Sequence, residues 1–208
     1  MIIDENERIL FQGDSVTDVG RNREEEDNLG CGYPMMVASL FAAICPQKNV
    51  SFLNRGNGGE SIKHLEARWQ KDCLDLKPTL VSILIGINDC WRKFDSNQPT
   101  TPAEFEASYR VLLDKIKKQG IKKIIMLEPF VLPVTEDRKT WREDLDPKIH
   151  VIRELAREYK AILIPLDGIF SAASVLKPSN FWTVDGVHPT NAGHALIARE
   201  WLKTVKVI

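Results

Sequence analysis

The chain of 208 residues is short of several things that would settle its class at once. It has no surplus of charge. Its 28 Lys and Arg against 29 Asp and Glu give a formal net charge of −1, which argues against the basic stripe of a nucleic-acid binder. No apolar run approaches the roughly 20 residues that cross a bilayer. The opening MIIDENERIL carries acids where a signal peptide needs a basic region and then a long apolar one. A cytoplasmic protein with no membrane partner is therefore expected. Only four cysteines occur, Cys31, Cys45, Cys73 and Cys90. None is paired as CxxC or spaced as a metal ligand, so they read as reduced thiols, with room left for one bridge. G-x-G-x-x-G and P-loop patterns are missing, and with them the usual nucleotide signatures. There is no repeat, low-complexity tract or linker, and the length suits one domain over 1–208.

What is present is a regular alternation. Five short aliphatic runs, at residues 8–12, 50–53, 80–85, 123–127 and 161–164, are too short for helices and have the apolar character of strands covered on both faces. Between them lie stretches of helical period. Residues 33–44 are apolar nearly all round, and in 61–76 Ile62, Leu65, Trp69, Cys73 and Leu76 recur at threes and fours. Thr101-Pro102-Ala103-Glu104 reads as a capping box with proline at the first helical position, and Gly120 as the matching stop. Residues 147–159 and 190–205 complete the helices, with a shorter one near 169–176. The expected fold is α/β, three-layered: a doubly wound, five-stranded parallel sheet with helices on both sides. Residues 20–32, 91–100 and 129–144 are expected as long loops, where lids and pockets usually live.

In such sheets ligands bind beyond the carboxyl ends of the strands. Gly13-Asp14-Ser15 follows the first strand, Asn54-Arg55-Gly56-Asn57-Gly58-Gly59 the second and Gly86-Ile87-Asn88-Asp89 the third. Each has a plainer reading alone. Asp14 or Ser15 can be a helix cap, the glycine run a turn, and Asn88-Asp89 a strand terminus. A fourth piece changes the balance: Asp185-Gly186-Val187-His188-Pro189, just before the last helix. An Asp three residues from a His can fix its tautomer and leave the other ring nitrogen as a general base. Ser15, His188 and Asp185 thus supply the three roles of a hydrolytic triad. Gly56, with no side chain to obstruct its N–H, and Asn88, with its amide, join the Ser15 N–H as candidate oxyanion donors.

The order Ser15…Gly56…Asn88…His188 resembles the GDSL-type, or SGNH, hydrolases over nearly the whole chain. That resemblance implies a flavodoxin-like sheet, Ser15 as nucleophile, His188 as base, Asp185 as its orienting acid, and no cofactor. Within the family, GDSVTDVGRNR, LEARWQKDCLDLKPTLVSILIGINDCWR, MLEPF and DGVHPTNAGHALIAREWL are similar to intracellular carbohydrate acetylesterases, including acetyl-xylan esterases. These relatives are often oligomeric, which implies a homo-oligomer here. Two departures lie near the presumed pocket. Asn57-Gly58-Gly59-Glu60-Ser61 replaces the usual apolar residue, Ser and Asn, and Val184 stands where some relatives have Trp, with Trp182 nearby.

Arg55, Trp91 and Trp182 flank the proposed site and are candidate sugar contacts, with core or lid packing as the alternative for the Trp residues. His64, His150 and His194 fall on expected helices without a companion at i+4 and read as packing or surface residues, not a metal site. The expected activity is removal of a small acyl group, acetyl above all, from a carbohydrate or similar small ester. The alternatives are a broader esterase, a lysophospholipase or a thioesterase on the same triad. A non-enzymatic phosphate- or nucleotide-binding module would leave Asn88, Asp185 and His188 without a role.

Overall fold

In the computed structural model, which describes residues 2–208, the expected strands form one sheet. They are β1 (Arg8–Gly13), β2 (Ser51–Gly56), β3 (Leu80–Leu84), β4 (Lys123–Leu127) and β5 (Ile162–Ile164). All neighbours are parallel, in the order β2-β1-β3-β4-β5. Successive strand residues point to opposite faces, and each face meets a different core. Ile9, Phe11, Leu80, Leu84, Ile125 and Leu127 pack on one side. Leu10, Val81, Ile83, Ile124 and Met126 pack on the other.

The short α1 (Ser15–Asp18) leads from β1 toward α2 (Tyr33–Ile44). The second core is covered by α3 (Ile62–Asp72), and α4 (Ile87–Asp95) and α5 (Pro102–Lys118) follow β3. Then come α6 (Glu136–Thr140), α7 (Arg142–Tyr159), α8 (Leu166–Leu176), α9 (Ser179–Trp182) and α10 (Asn191–Thr204). Residues of α2, α8 and α10 close the first core; residues of α3, α5 and α7 close the second. The capping box at α5 forms as read: Thr101 Oγ1 accepts from the Glu104 N–H at 3.2 Å, and Glu104 Oε2 accepts from the Thr101 N–H at 2.9 Å.

Two expected loops are partly helical. Gly86, at φ +128°, turns β3 straight into α4, so residues 91–95 are the end of a helix. A Cβ on Gly86 would come within 3.0 Å of the Phe105 ring, so the turn has no room for a side chain. The stretch 129–144 contains α6, and α7 begins at Arg142 with Pro147 inside it. The upstream turn is held by Leu145 and Ile149, buried with Trp141, and by an ion pair from the fully buried Lys148 to Asp144. Together these outweigh the backbone hydrogen bond that proline removes.

Trp201 joins α10 to the sheet. It is fully buried, its ring centroid lies 5.6 Å from that of Phe11, and its indole N–H donates to Ser82 Oγ at 3.1 Å. Trp201→Ala should lower the unfolding free energy by about 3–5 kcal/mol, read from urea titrations. A loss below about 1 kcal/mol would show that α10 is held elsewhere.

Candidate active site

The register of the sheet sets out one half of the site. Gly13 pairs with Gly56 of β2 and with Leu84 of β3, so the chains leaving all three strands emerge side by side. A Cβ on Gly13 would lie 2.3 Å from Thr17 Oγ1 and 2.4 Å from the Leu84 carbonyl. Only glycine lets α1 fold back this tightly. Asp14 caps the turn, accepting from the Val16 N–H at 3.0 Å, and leaves Ser15 half-buried on the rim.

The other half is a closed loop between α9 and α10. Thr183 and Pro189 form an antiparallel bridge, and the Val184 N–H donates to the His188 carbonyl at 2.8 Å. Gly186, at φ +93°, makes the reversal, and its carbonyl accepts from the Leu132 N–H at 2.8 Å. Inside the loop Asp185 Oδ1 accepts from the N–H groups of Val187 (3.0 Å) and His188 (2.8 Å). Asp185 Oδ2 lies 2.8 Å from His188 Nδ1, and His188 Nε2 lies 3.0 Å from Ser15 Oγ. A carboxylate at Nδ1 holds the proton there, so Nε2 accepts from the Ser15 hydroxyl.

The charges follow from these contacts. Burial works to raise the Asp185 pKa, but the hydrogen bonds from the His188 ring and from the two backbone N–H groups outweigh it. The carboxyl is held well below the usual range. The Asp185 hydrogen bond raises the His188 pKa above its ordinary value, against the opposing effects of burial and of Arg138. Beneath them Asp14 is almost fully buried among Val16, Leu84, Ile87 and Phe130, and burial pushes its carboxyl up to about 7.

Over Ser15 opens a cavity of about 260 Å³ lined by Ser15, Gly59, Asn88, Trp91, Arg92, Asp95 and His188. A larger recess of about 470 Å³, at Asp4, Lys77 and Lys123, lies at the amino ends of the strands, away from all of these groups.

Gly56 is not on the cavity wall, and this corrects the expectation for it. Its N–H already donates to Asn54 Oδ1 at 2.8 Å, and a Cβ there would lie 2.5 Å from the Asp18 nitrogen. Gly56 is a glycine so that α1 can sit on it. Gly59, at φ +78°, lines the cavity instead. Neither its N–H nor that of Ser15 has a partner among the described residues. Asn88 gives one amide hydrogen to the Glu60 carbonyl at 3.0 Å, which leaves the other free.

Of the suggested sugar contacts, Trp91 is beside the chemistry, its ring centroid 5.8 Å from that of His188. Arg55 and Trp182 do not line the cavity. Arg55 donates to the carbonyls of Glu26 and Asn54 and ties down the loop over 20–32. The Trp182 indole donates to the Ala173 and Lys177 carbonyls and anchors the start of the loop that carries Asp185 and His188. His64 closes a capping box with Ser61, and buried His194 accepts from the Tyr33 N–H at 3.2 Å. Sequence reading missed Arg92, which donates to the Gly59 carbonyl at 2.6 Å. It also missed Arg138, whose Nε donates to the Asp185 carbonyl at 3.0 Å and whose guanidinium lies 3.9 Å from the Trp141 ring centroid. Arg92 had a signal, one turn beyond Asn88 on the same helix; Arg138 had none.

Comparison with known proteins shows the family. The pattern of the GDSL-like lipase/acylhydrolase family matches residues 11–196. The chain belongs to that family. It is 34% identical to the acetylxylan esterase of Geobacillus stearothermophilus, over 99% of this chain and 96% of the relative. The structure of the esterase Axe2 from the same organism superposes with a TM-score of 0.90 at 33% identity, covering 99% and 97% of the two chains. LAE5, an α/β hydrolase enzyme from the metagenome of Lake Arreo, superposes with a TM-score of 0.92 at 29% identity, covering 100% and 98%. The GDSL-family protein described here is a carboxylic ester hydrolase. Among its described residues no helix is long and apolar enough to cross a membrane.

In this hydrolase the buried acid beside Ser15 gives a pH test. Asp14 binds its proton more tightly folded than unfolded. Its favourable contribution is therefore complete below the ordinary carboxylate pKa and is lost as pH rises toward 7. Asp14→Asn keeps an oxygen for the Val16 N–H and removes the titration. The stability of the variant relative to wild type should therefore increase between about pH 4 and pH 7, measured by urea unfolding at each pH. A difference that does not change with pH would show that the carboxyl ionises in the fold without penalty.

Proposed function

We propose that Ser15, His188 and Asp185 are the catalytic triad of an esterase that removes acetyl groups from the hydroxyls of a carbohydrate. The observation that carries this reading is the unbroken chain from Ser15 Oγ to His188 Nε2 (3.0 Å) and from His188 Nδ1 to Asp185 Oδ2 (2.8 Å). The sugar ester is supported by the acetylxylan esterase relative, alike over 99% of this chain. A further structure of Axe2 is described as a catalytic mutant with a histidine replaced by alanine, which fits a histidine base here. Four free cysteines suit a cytoplasmic location.

Ser15 Oγ attacks the ester carbonyl carbon as its proton passes to His188 Nε2. The carbonyl electron pair moves onto oxygen, where the N–H groups of Ser15 and Gly59 and the Asn88 amide stabilise it. Collapse breaks the bond to the sugar oxygen, which takes the proton from His188, and the acetyl group stays on Ser15. Water attacks this acyl-serine by the same route in reverse, releasing acetate and restoring the hydroxyl. Asp185 stays ionised and stabilises the imidazolium at each stage.

Ser15→Ala should abolish hydrolysis of acetylated xylo-oligosaccharides while leaving the fold intact, and full activity in a folded variant would overturn the proposal. Asn88→Ala should lower kcat by about 10²–10³ with a smaller effect on KM. A near-normal kcat would remove Asn88 from the oxyanion hole.

The pH profile tests Asp185 separately. His188 must be neutral to accept the serine proton, and Asp185 raises its pKa. The acid limb of kcat/KM should therefore lie above the ordinary imidazole range. Asp185→Asn should move that limb to lower pH and reduce kcat by about 10⁴. A limb that stays in place would show that another group controls it.

A further inference from the structure

Beyond the catalytic cavity lies a second recess of about 290 Å³ lined by Trp91, Phe94, Asp95, Asp137, Arg138, Thr140 and Trp141. Trp91 and Asp95 belong to both spaces, so Trp91 is their common wall. Its ring also stands against the His188 ring. His188 is the group that would hand a proton to the departing alcohol, so the recess lies on the side from which that alcohol leaves. We propose that it is a subsite for a sugar ring of the leaving group. This rests on reading the enzyme as a carbohydrate acetylesterase.

The surface of the recess has the mixed character that a sugar ring demands. Trp91, Phe94 and Asp95 occur at i, i+3 and i+4 of α4 and so share one helix face. Phe94 is 37% exposed, yet it is not a loose surface ring. It stacks on the buried Trp141 with centroids 5.4 Å apart and planes 9° from parallel, and the Arg138 guanidinium lies against Trp141. A ring immobilised in this way offers the apolar C–H face of a sugar a contact at little further entropic cost.

Polar capacity remains beside it. Asp95 Oδ1 accepts from Ser96 Oγ at 2.7 Å, whereas Asp95 Oδ2 has no partner among the described residues. Arg138 commits Nε to the Asp185 carbonyl and Nη1 to Asp137, and its Nη2 has no partner there. A spare acceptor and a spare donor beside an aromatic surface match adjacent sugar hydroxyls. A long acyl or alkyl chain would desolvate both groups without replacing their hydrogen bonds. A phosphate would face the carboxylates of Asp95 and Asp137.

The test is substrate discrimination by variants of the recess. kcat/KM is measured on acetylated xylo-oligosaccharides and on p-nitrophenyl acetate, whose leaving group has no sugar ring. Phe94→Ala and Asp95→Ala remove the two kinds of contact, and Thr140→Trp fills the recess from an exposed position. Circular dichroism confirms that each variant is folded. For each, the ratio of sugar-ester to aryl-ester kcat/KM should fall by about tenfold or more. With wild type active on the sugar ester, a ratio within about twofold of its value in all three variants overturns the subsite and leaves the proposed activity standing. A wild-type enzyme active on the aryl ester but inert on acetylated oligosaccharides overturns both.

Discussion

The position of Ser15 depends on how closely α1 can sit on the ends of β1, β2 and β3. Two glycines govern that approach. At Gly13 a Cβ would overlap Thr17 and the Leu84 carbonyl; at Gly56 it would overlap the backbone of Thr17 and Asp18. Asn54 completes the joint. Its side chain accepts from the Gly56 N–H and donates to the carbonyls of Thr17 and Leu29, so every hydrogen bond it makes crosses or closes the same seam. The position of Ser15 is therefore set by close backbone packing, which suits the nucleophile role proposed for it.

The polar groups beneath this seam oppose folding, and the structure accommodates them unequally. Asp89, with no exposed surface, accepts from the Ile62 N–H at 2.9 Å and so ties the start of α3 to the helix that carries Asn88. Burial pushes its carboxyl up to about 6, as it pushes Asp14 up to about 7. Asp185 faces the opposite outcome, because it is only partly buried and accepts three hydrogen bonds. Three neighbouring aspartates thus differ in how readily they ionise through their surroundings alone. The most readily ionised of them is the one beside the imidazole.

The strands, their parallel order and the approach of Asp185 and His188 to Ser15 were legible in the sequence. They rest on local signals: short apolar runs, a capping box, and an Asp-x-x-His spaced for one hydrogen bond. The role of Gly56 was not. Three glycines within four residues look equivalent as text, but Asn54 takes the Gly56 N–H and Asp18 takes that of Gly58, which leaves Gly59. Arg138 was hidden for another reason. It acts on Asp185 through a backbone carbonyl 47 positions away, in a stretch read as loop, and a contact to a carbonyl leaves no mark on residue type. The start of α7 was misplaced because Pro147 resembles a first-turn proline, while the buried Lys148–Asp144 pair that extends the helix upstream is a tertiary effect.

The two halves of the site are held by separate means, and this bears on specificity. The Ser15 side is fixed by the sheet. The His188 side is fixed by its own hairpin bridge, by Leu132 and Arg138 bonding to the backbone of Gly186 and Asp185, and by Trp182 anchored to α8. Most of these contacts are made by or to backbone atoms. The recess at Phe94, Asp95 and Thr140 contributes none of them. As the proposed subsite, it can change these side chains while Ser15, His188 and Asp185 keep their distances. Trp91 and Arg138 are the exceptions, since both border the recess while the Trp91 ring stands against His188 and Arg138 donates to the Asp185 carbonyl. A replacement at either would disturb the Asp185–His188 pair together with the proposed subsite.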